Sequence, residues 1–517
     1  MKLSYKRTIF VGFAFFLICA FWQAYDNTIP LILTNKFGLS QAWSGVIMAL
    51  DNILALFMLP LFGAISDKVH TKLGKRTPFI LAGTLVAVVT FVALSFVDAA
   101  QLRNIAKVAA IDDPEALACI YEQQAASTLL TPDGESFVLS ELYTEEEFTE
   151  IRSQITEDGK TVTNPDYTNY VVPARQACAR QTTHAYPRTL IVFIALLLVT
   201  LISMATFRSP AVALMPDVTI KPLRSKANAV INLMGSAGGI LVLILGMVFA
   251  TSSVKNSLMN YTPFFLVVAG LMLAALLIFL LKVREPQFVR EMQEESRRYG
   301  INEEDAAASG EKRRLSAGER RSMLFLLASI VLWFFGYNAI TSKYSVYASN
   351  ILHKDYNLTL IIAQAAAIIA YLPVGAVASK VGRKKTILAG VVMLFTAFLV
   401  ASFLRADSPT MLMNAMFALA GVAWATINVN SFPMVVEMCS GGDIGKYTGF
   451  YYTASMAAQV ATPMLSGLLM DKLGMTVLFP YSTVFVALAF VTMLFVMHGD
   501  SRPTAKRGLE ALEDLDN

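Results

Sequence analysis

Four ionisable side chains fall inside long apolar stretches: Asp26, Asp51, Arg208 and Lys343. A charge at the centre of a membrane span costs roughly 2.5 to 3.5 kcal/mol on insertion scales, so each needs a reason to be there. Asp51 lies in VIMALDNILALFMLP with apolar residues on both sides. Desolvation favours the neutral form of such a carboxyl, which suits a group that loads and releases a proton. Two roles fit Asp51: the coupling-cation site, or a carboxylate permanently paired with Arg208. Asp26 follows Tyr25 in FWQAYDNTIP, and Asn338 follows Tyr337 in the related WFFGYNAITSK. Aromatic rings beside carboxylate or amide groups suit a pyranose, which offers C–H faces for stacking and hydroxyls for hydrogen bonds. The same rings also suit packing or a membrane interface. Arg208, in MATFRSPAVALMPD, can donate several hydrogen bonds to hydroxyls or hold an ionised aspartate. Asn428 and Asn430, in ATINVNSFP, add amides that serve either a ligand or interhelical contacts. Lys343, near the end of its span, is read as snorkelling to the surface.

These residues are carried by a chain that looks duplicated. Arg208, Asp217 and Lys226 are followed at a constant offset of 220 by Asn428, Glu437 and Lys446. Upstream, GAISDKVHTKLGKR and GAVASKVGRKK align Gly74 with Gly382 at an offset of 308, so the first half carries 88 extra residues. A stretch of that size interrupts the apolar pattern at 98–186. The chain has 517 residues, 55% hydrophobic and 15% charged, with a mean hydropathy of +0.55. That charge is well below the roughly 25% of soluble domains. Twelve apolar segments, each near the roughly 20 residues a helix needs to cross a bilayer, predict an all-α membrane protein of twelve transmembrane helices in two six-helix pseudo-symmetric bundles. The expected divisions are 1–97 with 187–283 as the first bundle, 98–186 as an extracytoplasmic insert between the third and fourth helices, 284–321 as a cytoplasmic linker, 322–498 as the second bundle and 499–517 as a tail. The basic, apolar N-terminus is read as the first helix, because its apolar run is too long for a signal peptide and continues through Asp26 and Pro30.

Lys and Arg concentrate in alternate loops, which places both termini in the cytoplasm of a plasma-membrane protein. The insert holds 15 acidic and 6 basic residues, so the net charge of +4 conceals −9 in the insert and +13 elsewhere. The basic linker at 282–321 interleaves nine acids with its ten bases. That pattern makes it a solvated connector, an amphipathic helix and then a tether, and no nucleic-acid partner is expected. The insert contains turn sequences TPDG and NPDY and enough aromatics, among them Tyr121, Phe137, Tyr143, Tyr167 and Tyr170, to fold. Its two cysteines, Cys119 and Cys178, permit one disulfide or two free thiols.

Charged residues also mark the loops predicted to be cytoplasmic. Gly63 and Asp67 with Lys75 and Arg76, Asp217 with Arg224 and Lys226, Arg383, and Glu437 with Lys446 place opposite charges at helix ends. Such pairs can hold one face shut and break when it opens, or simply anchor topology.

The GAISDKVHTKLGKR loop resembles the signature of the major facilitator superfamily between its second and third helices. Its lengthened spacing, followed by TPFI, is similar to the sucrose/proton symporters and to the glycoside-pentoside-hexuronide cation symporters. DNILALFMLPLFGAISDK resembles their second helix, where an acid takes part in cation coupling, which implies that role for Asp51. SPAVALMPD resembles their fourth helix, whose polar residues contact sugar, which implicates Arg208. The chain departs from melibiose-type carriers in having an arginine where they tend to have an acid, and the large insert is not general. The resemblance implies a monomeric alternating-access symporter of a glycoside or oligosaccharide, with a small-molecule substrate, a coupling cation at Asp51 and Asp26, the bilayer around it, and no cofactor or metal. An exporter or facilitator of another metabolite, or a sensor that has lost transport, are the other readings. An enzyme is not expected, since metal-ligand clusters, a nucleophile elbow and phosphate loops are missing from the sequence.

Overall fold

The computed structural model describes residues 3–157, 159–220, 223–299, 315–437 and 444–498. The first half begins with α1 (Tyr5–Asn35), α2 (Gln41–Met48), α3 (Leu50–Lys68) and α4 (Thr77–Asn104). The insert follows with α5 (Ala106–Ala109), α6 (Pro114–Gln124), β1 (Thr128–Leu130), β2 (Ser136–Val138), α7 (Leu139–Leu142), α8 (Glu145–Thr149), β3 (Gln154–Glu157), β4 (Lys160–Thr163) and α9 (Val172–Ala185). Then come α10 (Arg188–Asp217), α11 (Arg224–Val248), α12 (Thr262–Lys282) and the linker helix α13 (Glu285–Arg298). The second half comprises α14 (Ala317–Tyr347), α15 (Tyr356–Val381), α16 (Arg383–Ala401), α17 (Thr410–Glu437), α18 (Ile444–Leu473) and α19 (Leu478–Leu494). The tail at 499–517, the tether at 300–314 and Cys439 lie outside the described residues.

Among the described residues, ten helices are long and apolar enough to cross a membrane, α2 and α3 counting as one across Ala49. The long helices α15 and α18 accompany them in the second half. Large apolar side chains such as Phe57, Val89, Leu281, Phe403 and Met411 stand on the outside. In water such a coat is a liability, whereas in hydrocarbon it is solvated.

The two halves have separate cores. One is drawn from Val11 to Val283, with Phe91 stacked on Phe265 at 4.2 Å. The other runs from Met323 to Val496 and, among the described residues, takes in only Leu31 from the first half. Buried polar side chains in these helices are satisfied locally: Thr28, Thr34, Thr462 and Ser482 each donate to the carbonyl four residues back. Lys36 and Asp98 form a completely buried ion pair at 2.7 Å, and Lys36 also donates to the Met259 carbonyl. A charge pair taken out of water needs such extra partners to be tolerated.

The insert has its own core of Leu117, Ile120, Phe137, Phe148, Tyr167 and Val171 and others. It is not all helix, since β1 pairs with β2 and β3 with β4 in two short antiparallel hairpins. The TPDG turn forms the first of these, with Gly134 at φ +90°, a value that favours glycine. Thr144 and Glu147 make a reciprocal cap at the start of α8. Cys119 and Cys178 are free thiols, receiving Gln123 and Gln124 amides at 3.1 and 3.5 Å, so the bridge left open by the sequence is not made.

Candidate functional site

A cavity of about 290 Å³ lies between the two halves, lined by Trp22 and Asp26 of α1, Met48 of α2, Asp51 and Asn52 of α3, Arg208 of α10, Asn338, Thr341 and Ser342 of α14, and Gln459 and Pro463 of α18. Four residues singled out in the sequence thus line one cavity: Asp26, Asp51 and Arg208 from the first half and Asn338 from the second. Asn52 donates its amide to an Asp51 oxygen at 2.7 Å. The Arg208 guanidinium stands 5.8 Å from the Trp22 ring centroid, within reach of a cation–π contact. Trp22 therefore belongs to the cavity wall.

Other expected site residues stand elsewhere. Tyr25 is almost wholly buried in the first-half core, beside Phe21 and Trp22. Tyr337 lies flat on Trp424 of α17, 3.6 Å between centroids. Asn430 is buried and donates to the Thr426 carbonyl at 2.9 Å, while Asn428 lies half-buried on the same helix, and neither lines the cavity. Lys343 does not snorkel: it is fully buried and its ammonium donates to the Gln41 carbonyl at 2.6 Å. Thr341, Ser342 and Gln459 were missed. Their signal was available, since Thr341 and Ser342 follow Asn338 by about one turn and Gln459 is a lone amide in MAAQVATP.

On the insert side of this cavity the halves are joined by a band of polar contacts. Asp471 of α18 accepts the backbone N–H groups of Gln41 at 2.7 Å and Ala42 at 2.8 Å. Tyr356 and Asn357 donate to Thr251 and Ser252 donates to Asp355 at 2.9 Å, while at the level of the cavity itself Gln364 donates to Gln23 at 2.6 Å. Gly45 packs on the Pro463 carbonyl and Gly467 on the Gln41 carbonyl so tightly that an added Cβ would lie 2.0 and 2.2 Å from those oxygens. The insert spans the same seam. The Met475 N–H donates to the Pro132 carbonyl at 2.6 Å, and the Thr168 hydroxyl meets the His353 ring at 3.0 Å. From α9, Gln176 reaches Asn35 at 2.9 Å and Arg180 reaches the Gly38 carbonyl at 2.9 Å.

At the opposite end of the first half, the loop charges converge on one residue. Arg76 pairs with Asp67 at 2.5 Å and with Asp217 at 2.8 Å, and it also donates to the Ser66 hydroxyl. Burial alone would lower the guanidinium's pKa, but Asp217 and Asp67 outweigh it and hold it above the ordinary value. Asp217 thus pairs with Arg76, and Arg224 donates its Nε to the Thr219 carbonyl. The side chains of Lys226, Glu437 and Lys446 lie outside the described residues. Gly63 lets α3 approach Ser209, Lys75 is exposed, and Arg383 opens α16 directly after Gly382. Sequence reasoning missed Glu285, the first residue of the linker helix. Its carboxylate accepts the N–H groups of Lys75, Arg76 and Thr77 and the Thr77 hydroxyl, closing the start of α4. An anion at exposed helix N–H groups is favoured by their charge and by the helix dipole.

The site's groups are carboxylates, amides, hydroxyls, a guanidinium and an indole. Together they can bind a polar ring compound and a small cation. Among the described residues no group of three His, Cys, Asp or Glu is placed to hold a metal.

Comparison with known proteins agrees with this architecture. The model of the MFS_1 like family matches residues 5–481. No curated protein sequence matches significantly. Among solved structures, the inward-open xylose transporter XylE from E. coli superposes with a TM-score of 0.59 at 13% identity, covering 99% of this chain and 100% of its own. A bacterial homologue of the iron transporter ferroportin in an inward-facing state gives 0.58 at 11% identity, covering 95% and 99%. The nucleoside transporter NupG gives 0.53 at 14% identity, covering 96% and 100%. At such identities the likeness concerns the fold.

Proposed function

The chain belongs to the MFS_1 like family of major facilitator transporters, and on that premise we propose that it is a twelve-helix secondary transporter in the plasma membrane that couples proton entry to symport of a glycoside or short oligosaccharide by alternating access. The observation that carries this reading is the cavity in which Asp26, Asp51 and Arg208 of one half face Asn338, Thr341, Ser342 and Gln459 of the other. Its volume of about 290 Å³ sits near the lower end, roughly 300 Å³, of small-ligand pockets, which favours a mono- or disaccharide over longer chains.

In this reading the insert end faces outward and is shut, by Asp471 on α2, by Lys343 on the Gln41 carbonyl and by the insert itself. Asp51, with Asp26, takes the proton. Arg208 holds whichever carboxylate is ionised, or the sugar hydroxyls once the carboxyl is neutral. Trp22 offers its face to the ring and the second-half amides and hydroxyls complete the hydrogen bonds. Rocking of the two cores, each internally packed, then exchanges which end is closed. One charge moving down 100 mV supplies about 2.3 kcal/mol, enough for roughly fiftyfold accumulation.

The test is uptake into proteoliposomes of labelled mono- and disaccharides, with nucleosides alongside because NupG is a nucleoside transporter, under an inward proton gradient with and without sodium. Sugar accumulation that collapses with the proton gradient supports the reading. Accumulation of nucleosides alone, or uptake driven only by sodium, contradicts it.

A further inference from the structure

A second cavity, of about 260 Å³, lies between the insert and the same seam of α2 and α18 that walls the central one. The central cavity uses Met48 and Asp51 on one side of the seam and Gln459 and Pro463 on the other, while the outer one uses Ser40, Gln41, Met470 and Asp471. They are separated by the stretch where Gly45 and Gly467 bring the two backbones together. From Gln41 to Met48 is about 10 Å of helix. The outer cavity is roofed by the first hairpin, at Thr128–Leu130, Thr131, Pro132 and Gly134, and by Gln176, Ala177 and Arg180 of α9.

Its lining resembles that of the central cavity in kind. Amides come from Gln41, Gln176 and Asn350, hydroxyls from Ser40, Thr128 and Thr131, and the charged lining residues are one guanidinium, Arg180, and one carboxylate, Asp471. The formal charges cancel, so the space suits a neutral polar guest. The Gln41 side chain lines the inner end of this space, on the residue whose backbone Asp471 and Lys343 hold.

We propose that this cavity is an antechamber: a second, weaker binding site for the same neutral, hydroxyl-bearing small molecule, built by the insert on the path to the central cavity. The proposal rests on the sugar reading above. The insert then adds substrate selection at the entrance, ahead of the gate formed by α2 and α18. The Gln41 and Gln176 amides and the Arg180 guanidinium line the space and offer donors to the guest's oxygens.

The experiment places single cysteines in a chain whose own four are replaced by alanine: Ala177→Cys in the antechamber and Ser342→Cys in the central cavity. Alkylation by a methanethiosulfonate reagent is timed with sucrose, maltose, melibiose or glucose as probes. A ligand at twice its dissociation constant slows labelling about threefold. The expected result is protection at both positions, stronger at 342, with Gln41→Ala removing protection at 177 and sparing 342. That variant keeps the backbone groups that Asp471 and Lys343 hold. Protection at 342 alone overturns the antechamber and leaves the sugar reading standing. Protection at 177 that survives Gln41→Ala marks gate closure in place of binding and also overturns it. Protection at neither position overturns both.

Discussion

Asp471 caps a helix that belongs to the other half of the molecule: its two carboxylate oxygens take the Gln41 and Ala42 N–H groups, 430 and 429 residues away in sequence. The capped helix, α2, leads directly into Asp51 of the central cavity. Gate and coupling site therefore lie on one nearly continuous rod, and opening the gate exposes N–H groups that the closed state satisfies.

Asp471→Asn keeps the shape of that cap and weakens it. A helix cap is worth about 1 kcal/mol, so the substitution should shift the balance toward opening at the insert end about fivefold. Electron–electron distance distributions between spin labels on the two halves at that end would show a larger wide-separation population. An unchanged distribution would mean that the cap does not contribute to closure.

Gly45→Val should act more severely. Any Cβ at 45 would meet the Pro463 carbonyl oxygen at 2.0 Å, and a backbone atom cannot step aside. The closed seam is then excluded and the insert end stays open. The expected outcome is retained ligand binding from the insert side with loss of net transport, read by equilibrium binding beside proteoliposome flux.

The insert's contact at Thr168 and His353 should respond to acid. Burial lowers the His353 pKa from its ordinary value near 6.5, and neighbouring Lys354 lowers it further, opposed by the Asn350 carbonyl and Asp133. A group with a depressed pKa in the closed state favours closure fully above its free value and loses that contribution as pH falls below about 6.5. Acidification should therefore loosen the insert from the second half. Hydrogen exchange at residues 353–356, expressed at each pH relative to the intrinsic rate of an unprotected amide, should lose protection on acidification in the native chain and keep it in His353→Gln.

Cys178 should resist alkylation. Burial pushes its thiol up to about 11, so at pH 8 it is almost entirely protonated. Cys119 is half-buried. Maleimide labelling followed by peptide mass spectrometry should modify Cys119 first, and intact mass without reductant should show no loss of the two hydrogens that a bridge would remove.

Much of the site could be read before the fold. Asp26, Asp51, Arg208 and Asn338 stand out because a polar group in an apolar helix is expensive, and expense narrows the reasons for its presence. Thr341, Ser342 and Gln459 were passed over because hydroxyls and amides cost less and bond within their own helix. Lys343 was misread because its depth depends on Gln41, which the sequence places 302 residues away. Glu285 escaped notice in a linker full of charges, where only the folded position of the 74–77 loop distinguishes it from its neighbours. The paired repeats showed that the chain is built from two halves, yet they match Asp217 to Arg224 and Lys226 by proximity in sequence. In space Asp217 also meets Arg76, from a loop 141 residues earlier, because α10 packs along α4.

The central claim is that Asp51 couples proton movement to substrate movement, and Asp51→Asn tests it most directly. The amide keeps the size and the hydrogen-bonding capacity of a neutral carboxyl but cannot release a proton. In proteoliposomes under an inward proton gradient, the account predicts that the variant loses sugar accumulation and still exchanges labelled for unlabelled sugar across the bilayer. Gradient-driven accumulation at the native level in Asp51→Asn would contradict it.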